Sequence, residues 1–233
     1  MILAKATWTE VEALDREQVV VVPVGGTEQH GVSLPLGTAW ILAEALAMGI
    51  EERQAENVLV APTVPYAVSG ADKTFAGTVD LGFEAFAATL RAIVASLARH
   101  RFRRFLFVLG GAGDVAHALK VALRGIKDSA PNLQLAIFRA NGFEAGWEAA
   151  LASVDPSLVR WGGDSNRPEM TLDGGEPFAA NFITDSDESG SLPPALNEAP
   201  DAAAGRRSLE AKVAEAVDIV NLMRLGRVYV EEG

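Results

Sequence analysis

The stretch GGTEQHGVSLPLGTA, residues 25–39, sets Glu28 and His30 two positions apart. A carboxylate and an imidazole both bind metals and both carry protons, so the pair suits either a metal centre or general acid–base work. Catalytic metal sites normally use three protein ligands and leave one position open to water or substrate. Two ligands therefore leave the site incomplete. A structural reading competes: both side chains satisfy backbone groups within a tight glycine loop. The other candidates are weaker. Ser69 and Lys73 sit in a later loop, where such residues are usually solvated. His100 ends an amphipathic segment and reads as a cation on a helix carboxyl terminus. His117 lies off the apolar stripe of its segment and reads as surface. Trp147 and Trp161 are able to wall a pocket, although core packing or a subunit contact is the commoner role. The acidic run DSDESG (185–190) lacks the spacing of an EF-hand.

The elements that must position these residues alternate in type. QVVVVPVGG (18–26), NVLVAPTVPY (57–66), RRFLFVLGG (103–111) and NLQLAIFRA (132–140) read as buried strands. Helices are expected over 39–54, over 83–100 with Phe83, Phe86, Leu90, Ile93, Val94 and Leu97 on one stripe, and over 114–128 with Val115, Ala118, Ala122 and Ile126 inward. A closing helix over 208–225 points Leu209, Val213, Val217 and Val220 to the core. The expected fold class is α/β: a mostly parallel sheet flanked by helices, joined by right-handed crossovers, in one domain over 1–233. Residues 184–201 read as a surface excursion. In such sheets ligands bind beyond the carboxyl ends of the strands. The loops GGTEQHG, PYAVSGADKTFAGT and GGAGD should therefore open on one rim.

Composition narrows the partners. The net charge of -11 opposes binding to nucleic acid and to anionic membrane surfaces. The absence of Cys removes disulfides, thiolate nucleophiles and Cys-ligated zinc. No segment reads as a signal peptide or a membrane span, so a soluble cytoplasmic protein acting on a small molecule is expected. One rival motif is present. Gly111-x-Gly113-x-x-Ala116 follows a strand and precedes a helix, as in a dinucleotide fingerprint. The next strand, however, ends in Arg139 and supplies no acidic ribose partner.

Five stretches together resemble the creatininase family of metal-dependent amidohydrolases: TWTEVEAL, VVPVGGTEQHGVSLPLGT, PYAVSGADKTFAGT, SLARHRFRRFLFV and GRRSLEAKVAEAV. The resemblance spans nearly the whole chain and is least clear between about 142 and 200. It implies a creatininase-like α/β fold, a homo-oligomer (a hexamer in the family), and cleavage of small cyclic or linear amides by two divalent metals, commonly Zn or Mn. The departures fall on the ligands. The family's LPLGTD ends here in Ala39, which removes the bridging aspartate. Its NGHGGN reads Leu109-Gly110-Gly111-Ala112-Gly113-Asp114, so the histidine ligand is Gly111. Its HAGExETS aligns with Asp164-Ser165-Asn166-Arg167-Pro168-Glu169-Met170-Thr171, which replaces an acidic ligand with Arg167. Its GEH reads Gly70-Ala71-Asp72, and the proline of FPGT is Ala76.

Only Glu28 and His30 are clearly retained, and no metal or other cofactor is expected. A residual single Zn or Mn ion on Glu28 and His30 would need a third donor such as Asp114, Asp72 or Asp164. A buried Glu28 without a dication takes up a proton or finds a cation. Arg167, or else Lys73, is the expected cation, which leaves His30 to titrate near neutral pH. The catalytic candidates are then Glu28, His30, Arg167 and Asp114. The substrate-contacting candidates are Ser69, Lys73, Gly111, Trp161 and Glu169. The chemistry that suits them is ring opening or closure of a small cyclic amide or related C–N compound, tautomerisation, or dehydration. The alternatives are a catalytically silent ligand-binding or partner subunit and the dinucleotide binder.

Overall fold

Valine fills five of the six positions of β1 (Val19–Val24), and every one of the six is buried. Such a run suits a strand covered on both faces. The computed structural model describes residues 1–111, 113–140, 142–162 and 196–227. After β1 come α2 (Thr38–Gln54), β2 (Val58–Val60), α3 (Gly82–Arg99), β3 (Arg104–Leu109), α4 (Gly113–Ser129), β4 (Gln134–Arg139), α5 (Gly146–Val154) and α6 (Ala202–Arg224). A short helix, α1 (Trp8–Glu12), precedes β1. The four strands form one parallel sheet in the order β2-β1-β3-β4, so β1 and β3 are central.

Alternation along the central strands divides the core in two. Val19, Val21, Leu106 and Val108 pack with α2, α5 and α6. Val20, Val22, Phe105, Phe107 and Leu109 pack with α3 and α4. The apolar stripes of α3 and α4 point inward as the sequence spacing predicts, except that Phe83 is 39% exposed. β2 is much shorter than the 57–66 run suggests. Pro62 and Pro65 have no N–H to donate, and past Val60 the pairing with β1 thins to Ala61 N to Val21 O, Val64 N to Pro23 O, Gly25 N to Val64 O and an isolated bridge from Val64 to Val24. α6 begins earlier than predicted because Asp201 caps it, accepting from the N–H groups of Ala203 and Ala204 at 2.9 Å. Asp201→Ala should cost about 1 kcal/mol. A thermal melt should fall by about 2–4 °C; an unchanged melt would deny the cap any role.

Two glycines bring α2 onto the sheet. A Cβ on Gly25, past the end of β1, would strike the backbone of Trp40, and one on Gly110, past β3, would strike the carbonyl of Ala39. The amino end of α2 is thereby fixed beside the carboxyl ends of the central strands.

Candidate active site

The loops following β1, β2 and β3 meet at that end of the sheet. Glu28 is only 6% exposed. Its carboxylate lies against Gly26, where a Cβ would stand 2.7 Å from Oε2, and reaches to 3.9 Å from where a Cβ on Gly111 would stand. Glu28 thus bridges the first and third loops. Gln29 joins the first loop to the second: its Nε2 donates to Asp72 Oδ1 at 2.9 Å, while its Oε1 accepts from Gly31 N at 2.9 Å. Asp72 is buried as well.

Ser69 is 2% exposed, and its N–H donates to Asp80 Oδ1, which also accepts from Gly82 N. Ser69 Oγ is buried without a hydrogen-bond partner. A Cβ on Gly70 would lie 3.7 Å from Asp80 Oδ2 and 3.9 Å from Asp114 Oδ2. Asp114, in the first turn of α4, therefore approaches the second loop.

His30 points toward α5. Its ring stacks on Trp147 with centroids 5.7 Å apart and planes 25° apart, and Trp147 meets Phe143 edge-on. His30 Nε2 is buried with no hydrogen-bond partner. Desolvation lowers the imidazole pKa from 6.5 to about 4. This corrects the expectation of titration near neutrality: burial penalises the imidazolium, and the ring stays neutral at pH 7. The sign of the linkage follows. The unfolded chain protonates His30 more readily than the folded one, so its contribution to stability is complete above about pH 6.5 and is lost as pH falls toward 4. The expected loss is about 3 kcal/mol. Urea melts across that window should show it, and His30→Asn should flatten the slope. Parallel slopes for the two proteins would refute the assignment.

Lys73 is exposed on the second loop. Trp161 is 56% exposed and bridges to Leu196, in a segment that docks on Ser33. His100 caps α3, and exposed His117 turns Nδ1 to Gly113 O at 2.9 Å. Arg167, Glu169 and Asp164 lie outside the described residues. Three features carried no signal in the sequence beyond residue type: the Gln29–Asp72 link, the Asp80 contacts, and the burial of His30 by Trp147. The first and third join residues far apart in the chain.

Two positions to which the family resemblance assigns metal ligands carry no side-chain donor. Ala39 is fully buried and offers no side-chain donor. A side chain on Gly111 would begin 2.8 Å from Val115 Cγ1, so an aliphatic group occupies that approach. Among the described residues, no group of three or more His, Cys, Asp or Glu is placed to hold a metal ion. The dinucleotide reading also loses ground, because the Glu28 carboxylate stands beside Gly111, where a pyrophosphate would have to come close.

The four-stranded parallel sheet thus carries a buried carboxylate and a buried histidine nitrogen on the loop after its first strand. A model of the creatininase family, described as creatinine amidohydrolase, matches residues 4–220, and the chain belongs to that family. A mycofactocin precursor peptide peptidase of Mycobacterium tuberculosis is 35% identical over 136 residues, covering 55% of this chain and 49% of the relative. A creatinine amidohydrolase of Pseudomonas putida is 29% identical over 135 residues, covering 54% and 51%. The chain thus spans about half the length of the curated relatives it matches. Among solved structures, a putative creatinine amidohydrolase from Bacteroides fragilis superposes with a TM-score of 0.71 at 21% identity, covering 99% of this chain and 98% of the other. Solved creatininases of the same fold include a Zn-Zn type and a Mn form. Among the described residues, no helix is long and apolar enough to cross a membrane.

Proposed function

We propose that this chain is a divergent creatininase-family enzyme acting on a small cyclic amide or related C–N compound, with Glu28 and His30 as its acid–base pair and no two-metal centre. The observation that carries the reading is His30 Nε2, buried and without a hydrogen-bond partner, on the same loop as buried Glu28. Leaving a buried polar atom unpaired costs about 1–3 kcal/mol, which a ligand hydrogen bond would recover. Neutral His30 accepts or donates a proton according to tautomer, and Glu28 supplies the charge. Arg167 serves as the cation that keeps Glu28 ionised, because a carboxylate this deeply buried needs a cation, a proton or several donors. Ser69 and Asp114 line the same rim. Lys73, Gly111, Trp161 and Glu169 complete the proposed substrate contacts. Residues 1–233 act as one domain in a cytoplasmic homo-oligomer, a reading supported by family membership alone.

A second reading has its own observation. Val115 and Ala39 leave little polar surface where the family pattern has ligands, which suits a silent ligand-binding or partner subunit.

The test uses protein stripped with chelator and then analysed for residual metal. It is incubated with five- and six-membered cyclic amides and with a linear peptide amide, and products are followed by mass spectrometry. Turnover that survives stripping is expected. Turnover lost on stripping and restored by two equivalents of Zn or Mn would return the chain to ordinary metallohydrolysis. Tight binding without product would select the silent subunit.

A further inference from the structure

The segment from 91 to 104, RAIVASLARHRFRR, holds five arginines and no carboxylate, in a chain of net charge -11. It forms the carboxyl-terminal half of α3 and the turn into β3. That places it at the amino ends of the strands, the far end of the sheet from Glu28. A groove of about 280 Å³ opens there between α3 and α4. Val94, Ala95, Ala98, Ile126 and Leu133 give it an apolar wall, and Arg91, Arg103, Ser129 and Asn132 supply polar groups. The alanines make the hollow, since longer side chains at those positions would fill it.

The charge here is available. The ion pairs among the described residues use neither Arg91 nor Arg103. Arg103 spends only Nη1 on the carbonyls of Ala98 and Phe102, which leaves its other N–H donors for a ligand. Lys127 lies next to this region without lining the groove, its ammonium held by the carbonyls of Pro131 and Leu133. The nearest acid on α4, Asp128, is paired with Arg124. Arg101 adopts φ 73, a left-handed conformation that disfavours side chains. A long cation is thus kept where glycine would be unstrained.

We propose that this groove binds a small amphiphilic monocarboxylate, its apolar tail between α3 and α4 and its carboxylate on Arg91 and Arg103. The volume sets the class, since it lies at the lower edge of small-ligand sites, about 300–1,000 Å³. A guanidinium fork receives a carboxylate with two parallel hydrogen bonds. The apolar wall excludes a fully hydrated anion such as acetate as the preferred ligand.

Titration calorimetry of the full chain with octanoate tests this, with octanol and acetate as controls for tail and charge. Octanoate should bind at least about tenfold more tightly than either control and weaken with salt. Arg91→Ala, at an exposed position, should weaken it by about tenfold with the melt unchanged. Ala95→Trp, checked for folding by circular dichroism, should abolish it by filling the groove. Octanol binding as well as octanoate, or indifference to Arg91→Ala in the folded protein, would overturn the proposal. So would a sedimenting dimer dissociated by Arg91→Glu, which would make the groove an interface with a second copy.

Discussion

Gly110→Val should lower the melting temperature by about 10 °C or prevent soluble expression. Gly110 follows β3 directly, and its N–H donates to Val24 O at 2.9 Å, continuing the central ladder. Any Cβ there lands on the carbonyl of Ala39 and comes within 3.2 Å of Ala43 Cβ. The obstacle is backbone at the first turn of a buried helix, so no rotamer change relieves it. Relief requires α2 to move off the sheet, which opens the packing of Leu42, Leu46 and Ile50, all fully buried. Overpacking of this kind costs about 3 kcal/mol. Gly125→Ala is the control. It lies within α4 with nothing within 4 Å of the new methyl, and should stabilise by up to about 1 kcal/mol. Equal melts for the two variants would show that α2 does not rest on Gly110.

Glu28→Gln should reduce turnover of whichever C–N substrate the screen identifies by about 10²–10⁴-fold, the usual contribution of a positioned proton carrier. The amide keeps the shape and removes both the charge and the basicity. KM should change less than kcat, because the carboxylate is engaged most when charge develops in the transition state. Comparison with a His30→Gln variant, and with the double variant, separates a working pair from two independent groups. Residues that act as a unit lose little more together than either loses alone. Full activity in Glu28→Gln would remove the acid–base assignment.

The strands and most helices were legible because both faces of β1 and β3 are covered, which writes continuous apolar runs into the sequence. The stripes of α3 and α4 were legible for the complementary reason, a single buried face each. α1 was missed, although Thr7-Trp8-Thr9-Glu10 carries a capping box: Thr7 N donates to Glu10 Oε2 at 2.7 Å, and Glu10 N donates back to Thr7 Oγ1. α5 was missed because a nine-residue run this rich in alanine shows little periodicity. At the site, residue types were readable and environments were not. Ala39 and Gly111 declare themselves in the sequence. The neutrality of His30 depends on its burial, which only the folded chain provides, with Trp147 stacked on the ring.

The ladder between β1 and β3 joins Val19 to Arg104 and Val24 to Leu109. During synthesis the ribosome must release the chain beyond Leu109 before that ladder can close. Until then the valine run of β1 has only the short β2 for company. Non-local parallel pairing is slow, because loop entropy is lost before contacts repay it. The nascent amino-terminal half is therefore the stage most open to aggregation, and the interval in which a chaperone has most to protect.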